Sequence, residues 1–305
     1  MIKYNFATID IGGTNTRFAI FSDNKITKKI KFATDVINYK KILDKILDLV
    51  SQYKINAIAL CIPGPADYQK GIILSSPNLI GWNGINIKEY LLNNSKLEYA
   101  IFENDANAMA FANHIFYKNT NKGVTQFYTI STGFGAGLVI NNKIFHGANG
   151  FGQEIAHIPT SKIFNKKHHL NNYAAELFIS GTGMSLRAKD KNLEQTEPKN
   201  IIALSQEDKG YKQIVSDCID TLARTISITI GILNPNLMVF GGSIAEYNFW
   251  IIQKAIKKAK QWTNKDQWEA IKFEQDPFGD DSALFGLYYL ILEKTKKINL
   301  KIGKN

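Results

Sequence analysis

The stretch Asp10-Ile11-Gly12-Gly13-Thr14-Asn15-Thr16-Arg17 lies between two apolar runs, Phe6 to Ile9 and Phe18 to Phe21, and constrains the chain to a β-hairpin with glycines at its tip. The chemistry of that tip has two readings. A Gly-Gly turn is a common way to join two strands. Glycines also let backbone N–H groups approach an anion, Thr14 and Thr16 add hydroxyl donors, and Asp10 at the strand end suits a hydrated Mg²⁺; this is the chemistry of a phosphate cradle.

A second segment of similar construction, Ser131-Thr132-Gly133-Phe134-Gly135-Ala136-Gly137, falls between the strand-like runs Gln126 to Ile130 and Leu138 to Ile140. Two such hairpins far apart in one chain point to a duplicated architecture. A third glycine turn, Phe240-Gly241-Gly242-Ser243, follows the apolar run Leu237 to Val239 and is placed to receive an adenosine. Together the turns favour ATP between two halves, with separate loops for its phosphates and its base. The candidate cofactor-binding residues are therefore Asp10, Gly12, Gly13, Thr14, Thr132, Gly133, Gly241 and Gly242. Neither a G-x-x-x-x-G-K-[ST] loop nor a G-x-G-x-x-G that opens a helix occurs, which sets aside the P-loop and dinucleotide folds.

A chain of 305 residues with 45% hydrophobic and 11% aromatic content has room for two domains, each with its own core. No apolar run reaches the roughly 18 residues of a membrane helix, and no signal-peptide pattern precedes the first strand; the expectation is a cytoplasmic protein without a membrane partner. Cys61 and Cys218 each lie in an apolar run and read as buried thiols. The net charge of +10 is almost all lysine, as on the helix face Lys254, Lys257, Lys258 and Lys260, while arginine occurs only at 17, 187 and 224. No basic and aromatic residues interleave on one face, so no nucleic-acid partner is expected.

The run Lys25 to Thr34 reads as a third strand. Tyr39 to Tyr53 reads as a helix with Ile42, Leu43, Ile46, Leu47 and Val50 on one face, and Ile55 to Ile62 as a strand covered on both sides. A short helix near Ile87 to Leu92, a strand at Tyr99 to Glu103 and a helix from Ala106 complete an α/β first half, with ligands expected at the strand C-termini. The second half repeats the theme with paired strands over Gln126 to Phe145, helices near Tyr173 to Phe178 and Tyr211 to Asn234, and a strand at Leu237 to Phe240. A helix at Asn248 to Thr263, a strand at Ala270 to Glu274 and a last helix from Ser282 follow. The predicted fold class is α/β, with domains over 1–118 and 119–286, a hinge near Lys118 to Lys122, and a C-terminal helix, about 287–305, as a candidate to pack back on the first domain.

Glu103-Asn104-Asp105 stands at a strand end immediately before a helix. Asp105 is placed to cap that helix by accepting from a backbone N–H near Asn107 or Ala108. It is equally placed to accept the proton of an acceptor hydroxyl during phosphoryl transfer, and the two roles are compatible.

With these segments in order, the chain resembles the ROK family of sugar kinases and related repressors, within the actin-like, ribonuclease H-like superfamily. The resemblance rests on Asp10-Ile-Gly-Gly-Thr-Asn, Ile62-Pro-Gly-Pro, Ser76-Pro-Asn-Leu with Gly81-Trp82, Glu103-Asn-Asp-Ala-Asn-Ala, Ser131-Thr-Gly-Phe-Gly-Ala-Gly, Gly147-Ala-Asn-Gly, Gln153-Glu-Ile-Ala-His-Ile-Pro and Phe240-Gly-Gly-Ser. It implies two actin-like domains around an ATP/sugar cleft, a homodimer, and Mg-ATP-dependent phosphorylation of a hexose at its C6 hydroxyl with Asp105 as general base. It further implies that Asn78, Asn104, Glu154, His157 and Glu176 hydrogen-bond the sugar. Read from the residues alone, Glu154 also fits a solvated loop carboxylate and His157 a core histidine.

The chain departs from the family after His157, where typical members carry a C-x-C-G-x-x-G-C loop that holds zinc. No cysteine lies between Cys61 and Cys218, and Lys162 to Ala175 offers only His168 and His169 as soft ligands. No structural zinc is expected; packing should order this loop, and leave it more mobile than a zinc-clamped one. A repressor of the family would need an N-terminal helix-turn-helix, for which the sequence leaves no room before its first strand, and the retained Asp10, Gly12, Gly13, Asp105 and Gly133 favour an enzyme over a non-catalytic sugar sensor. Glu154 within Gly-Phe-Gly-Gln-Glu resembles the glucokinase group of the family, which implies glucose as substrate, with N-acetylmannosamine as the alternative and N-acetylglucosamine or fructose behind it.

Overall fold

A computed structural model describes residues 5–76, 79–120, 122–165 and 168–302. Two compact units emerge: the first holds the chain up to Phe116, His146–Phe151 and the chain from Asp281, and the second holds Tyr117–Phe145 and Gly152–Asp280. Residues 146–151 and 281–286, which the sequence reading leaves in the second half, thus group with the first unit.

In the first unit β1 (Phe6–Ile11) and β2 (Asn15–Ser22) form the expected hairpin, in a register that sets Asp10 opposite Arg17. β3 (Lys25–Ala33) continues the antiparallel ribbon. Helix α1 (Tyr39–Gln52) starts at Asn38, whose side chain accepts from the Lys41 N–H, and buries Ile42, Leu43, Ile46, Leu49 and Val50. Leu49 takes the core position that the sequence reading gives to Leu47, which is half-buried. β4 (Ala57–Cys61) is buried throughout and pairs in parallel with β1 on one side and with β7 (Tyr99–Glu103) on the other. Between them lie a two-stranded ribbon, β5 (Ala66–Asp67) with β6 (Ile72–Ile73), and helix α2 (Ile87–Asn93). Helix α3 (Asp105–Phe116) leaves directly from β7.

The sheet order is β3-β2-β1-β4-β7. A core that includes Ile9, Leu43, Ile46, Ile58, Leu60 and Trp82 lies on one face. The small residues Ala57, Ala59 and Cys61 on the other face pack with Ala108 of α3 and with Ala283, Leu287 and Ile291 of the C-terminal helix (Ser282–Ile302). That helix crosses α3 so closely that a Cβ at Gly286 would stand 1.9 Å from the Ala108 carbonyl oxygen. Coverage of both faces is what makes β4 uniformly apolar.

The second unit has the same topology. β8 (Val124–Ile130) and β9 (Phe134–Ile140) are a hairpin, β10 (Lys143–Ile144) extends it, and β11 (Leu237–Gly241) and β12 (Lys272–Gln275) join in parallel, giving the order β10-β9-β8-β11-β12. The helices are α4 (Glu176–Ile179), α5 (Gly181–Asp190), α6 (Pro198–Leu204), α7 (Lys209–Leu233), α8 (Ser243–Tyr247), α9 (Phe249–Ala259) and α10 (Lys265–Glu269). Its core runs from Tyr128 and Phe240 of the sheet to Ile214, Leu222 and Ile226 of α7 and Ile251 and Ile252 of α9. Among the described residues no helix is long and apolar enough to cross a membrane.

Candidate active site

In the first unit the polar groups gather at the C-terminal ends of the parallel strands. Asp10 is 8% exposed, and its Oδ2 accepts from Arg17 Nε at 3.1 Å and from Arg17 Nη2. The cross-strand register makes this pair, because side chains directly opposite on an antiparallel ribbon share one face. The tip Gly12-Gly13-Thr14 is tight: the Gly12 N–H donates to the Asn15 carbonyl at 3.0 Å. Thr14 is exposed, while Thr16 is buried and shares a 2.9 Å hydrogen bond with Thr34. Arg17 is thus a member of the cluster that the sequence reading quotes without giving it a role.

At the end of β7 the cap differs from the sequence expectation. Asn104, not Asp105, caps α3: its Oδ1 accepts from the Asn107 N–H at 3.2 Å, and its carbonyl accepts from the Ala108 N–H at 2.9 Å. The Asn104 Nδ2 donates to Tyr68 Oη at 3.4 Å. Asp105 is then the first residue of the helix, with its Oδ1 turned to the Ala106 N–H at 2.8 Å. Desolvation by the dense protein surroundings and then the Asp10 charge raise the Asp105 carboxyl above the usual carboxylate range, while hydrogen bonding to Ala106 and the Arg17 charge act the other way. The residue is nevertheless exposed to a solvent probe. Solvent access at this exposed position moderates the desolvation. Phosphoryl transfer asks for a carboxyl of this kind, reachable by an acceptor and with a raised proton affinity.

Glu103 is 7% exposed and holds the same turn from below, as described further on. Gly81 and Trp82 have structural duties: Trp82 is fully buried with Nε1 bonded to the Asp35 carbonyl at 2.9 Å, and a Cβ at Gly81 would collide with the backbone of Ile37. Asn78 lies outside the described residues.

In the second unit the hairpin tip Ser131-Thr132-Gly133 is fastened to the start of α5. The Gly181 and Thr182 N–H groups donate to the Ser131 and Thr132 carbonyls at 2.8 and 3.1 Å. The Thr132 side chain is exposed. Glu176 places its Oε2 on the Phe134 N–H at 2.9 Å, and a Cβ at Gly133 would stand 3.0 Å from that oxygen. In this structure, therefore, Glu176 braces the second glycine hairpin. Gly241 and Gly242 are dictated by packing: a Cβ at Gly241 would meet Phe127 at 2.8 Å, and Gly242 has φ +83° with its Cβ direction 2.6 Å from the Ile130 carbonyl oxygen.

Glu154 precedes and His157 ends a short 3₁₀ turn (Ile155–His157), and both are exposed. Exposure agrees with the solvated reading of Glu154 and removes the core reading of His157. Gln126 Nε2 fixes the preceding Gln153 at 2.8 Å.

The stretch after His157 is tied by backbone bonds, Thr160 N–H to Tyr173 carbonyl at 2.8 Å and Phe164 N–H to Asn172 carbonyl at 2.9 Å. Phe164, Leu170, Ala174, Leu177 and Phe178 form a small apolar cluster beneath it, and His168 stacks on Phe164 at 5.6 Å. Lys162 reaches Asp217 at 2.8 Å. Among the described residues no group of three His, Cys, Asp or Glu side chains is arranged to hold a metal ion. Mg²⁺ carried in with a nucleotide needs only a carboxylate and water. Asp10 fits that need through the part of its carboxylate away from Arg17.

A sequence profile described as the ROK family matches residues 6–294. The glucokinase of Thermotoga maritima is 23% identical over 96% of this chain and 99% of its own length. The N-acetyl-D-glucosamine kinase of Mannheimia succiniciproducens is 25% identical over 93% of this chain and 98% of its own. A ROK family glucokinase of Streptomyces griseus, solved in complex with glucose and AMPPNP, superposes with a TM-score of 0.75 at 21% identity, over 94% of this chain and 98% of that one. This last likeness is one of fold.

Proposed function

We propose that this chain, which belongs to the ROK family, is an ATP-dependent sugar kinase that phosphorylates the C6 hydroxyl of glucose. The observation that carries the reading is the division of labour after β7, where Asn104 takes the cap and Asp105 is left exposed with a raised proton affinity. Asp105 accepts the proton of the attacking hydroxyl, a step worth about 10²–10⁴-fold in rate. Bound Mg-ATP supplies the phosphoryl group and the charge that neutralises it. Gly13 and Thr14 of the first hairpin, whose tip Gly12 closes on Asn15, and Thr132 and Gly133 of the second would hold phosphates through N–H and hydroxyl donors, and Gly241 and Gly242 would receive the nucleoside. Asp10 would hold the metal through water, with Arg17 keeping the carboxylate in place. Asn104, Asn78, Glu154, His157 and Glu176 select the sugar, Glu176 doing so from its seat on the Phe134 N–H. A hexose lacking one of the matched hydroxyls leaves a polar group unpaired and is rejected. The enzyme works as a cytoplasmic homodimer with no nucleic-acid partner.

The N-acetylhexosamines are the second reading, favoured by the likeness to an N-acetyl-D-glucosamine kinase at 25% identity. ADP release measured with Mg-ATP over glucose, N-acetylmannosamine, N-acetylglucosamine, fructose and mannose tests both. Turnover with glucose foremost is the expected result. Turnover confined to an N-acetylated sugar replaces the substrate, and sugar-induced thermal stabilisation with no turnover replaces the kinase with a sensor.

A further inference from the structure

We infer that Glu103 and His146 form a clasp that positions the Asn104–Asp105 turn, a role that rests on the kinase reading above. Glu103 ends β7 with both carboxylate oxygens engaged. Its Oε1 accepts from the Asn104 backbone N–H at 2.9 Å and from Asn107 Nδ2 at 3.0 Å, and its Oε2 lies 2.8 Å from His146 Nε2. Neither residue has been given a part in catalysis by the motifs above. A carboxylate this buried is costly unless its charge is matched and its lone pairs are used. The titratable side chain in contact with Glu103 Oε2 is the His146 imidazole, a matching cation when protonated.

His146 opens the segment His146–Phe151, which packs with the first unit although the chain on either side of it belongs to the second. Gly147 and Gly150 carry it through φ +68° and +83°, conformations that favour glycine. Its tie to Glu103 joins residues 43 apart in the chain. The same carboxylate therefore holds the N–H of Asn104 on one side and the imidazole on the other. Asn104 in turn caps α3 and fixes the direction in which Asp105 leaves the strand. The Glu103 hydrogen bond and then its charge raise the His146 proton affinity against the effect of burial, in keeping with an ion pair.

The full-length protein and its His146→Gln, His146→Arg and Glu103→Gln variants test this. In nuclear magnetic resonance titrations the His146 ring is expected to protonate above the ordinary histidine value, and Glu103→Gln is expected to return it toward that value. In steady-state kinetics His146→Gln raises the glucose KM about tenfold, the worth of one charge-assisted hydrogen bond, and changes kcat little. His146→Arg restores KM and removes the alkaline limb from the pH profile of kcat/KM. A ring titration unmoved by Glu103→Gln overturns the clasp whether or not the protein is a kinase. A clasp present by titration with an unchanged glucose KM in His146→Gln overturns the positioning role. Absence of turnover in the unsubstituted protein overturns the kinase reading instead; the clasp then stands or falls on the titration and on hydrogen-exchange protection of the Asn104 amide, which His146→Gln should lower.

Discussion

The two sheets share one strand order and differ in what stands at the ends of matching strands. β1 and β8 both lead into glycine hairpins, yet the first carries the Asp10–Arg17 pair and the second carries Ser131 and Thr132, braced by Glu176. β4 and β11 are both buried middle strands, but β11 ends in Gly241-Gly242 pressed against β8. β7 ends in Glu103-Asn104-Asp105, whereas β12 runs into Asp276, whose side chain accepts from the Phe278 N–H at 3.1 Å. The two units share a backbone frame and differ at the strand ends. At these matching strand ends, the first unit carries the Asp10–Arg17 pair and the raised proton affinity of Asp105, and the second carries the close approach of Gly241 and Gly242 to β8. The first arrangement suits proton transfer and metal orientation, the second the seating of a nucleotide.

The difference can be broken at its strongest point by Asp105→Ala, which should lower kcat about 10²–10⁴-fold and leave the melting midpoint close to that of the parent, because Asn104 holds the cap. A variant that keeps its turnover while its midpoint falls would return the cap to Asp105 and dissolve the contrast between the units. Next comes Gly242→Ala, which forces a Cβ toward the Ile130 carbonyl at a positive φ and should cost about 2–4 kcal/mol in urea unfolding. An unchanged unfolding curve would mean that packing does not dictate this glycine. A smaller contrast separates Arg17→Met from Glu176→Gln. The first strands a buried carboxylate and should cost about 1–3 kcal/mol, while the second keeps an acceptor for the Phe134 N–H and should cost less than about 1 kcal/mol. Equal losses would show that the two hairpins are fastened alike.

The smallest effect is one of pH. The folded-state proton affinity of His146 is raised above the ordinary value of 6.5, so its pair with Glu103 contributes fully below that pH and is lost as pH rises through the higher folded value. With the imidazole 42% exposed the contribution should stay under about 1 kcal/mol. The decline in stability between neutral and mildly alkaline pH should be shallower in His146→Gln.

Periodicity and glycine placement made both hairpins and the buried parallel strands legible, since a strand covered on two faces is continuously apolar and a tight turn needs glycine. The helices Gly181–Asp190 and Pro198–Leu204 escaped the reading. The first opens with Gly-Thr-Gly, poor helix formers, and depends on Ser180 accepting from the Gly183 N–H at 3.0 Å. The second is marked in the sequence only by Pro198 at its first turn. At the candidate site the Asn104–Asp105 turn is legible from its place between a strand and a helix, but which of the two caps the helix is decided by one side-chain rotation that spacing does not encode. His146 was missed because its partner lies 43 residues earlier and nothing local marks it.

The C-terminal helix also fixes an order of events in the cell. The inner face of the first sheet is finished by Ala283, Leu287 and Ile291, which the ribosome delivers after the whole of the second unit. The second unit can close its core while translation continues, but the first must wait with the alanine face of β4 uncovered. A chain released after termination before Ser282 should therefore present a protease-resistant later half and a sensitive earlier one, the reverse of the order in which the two were made.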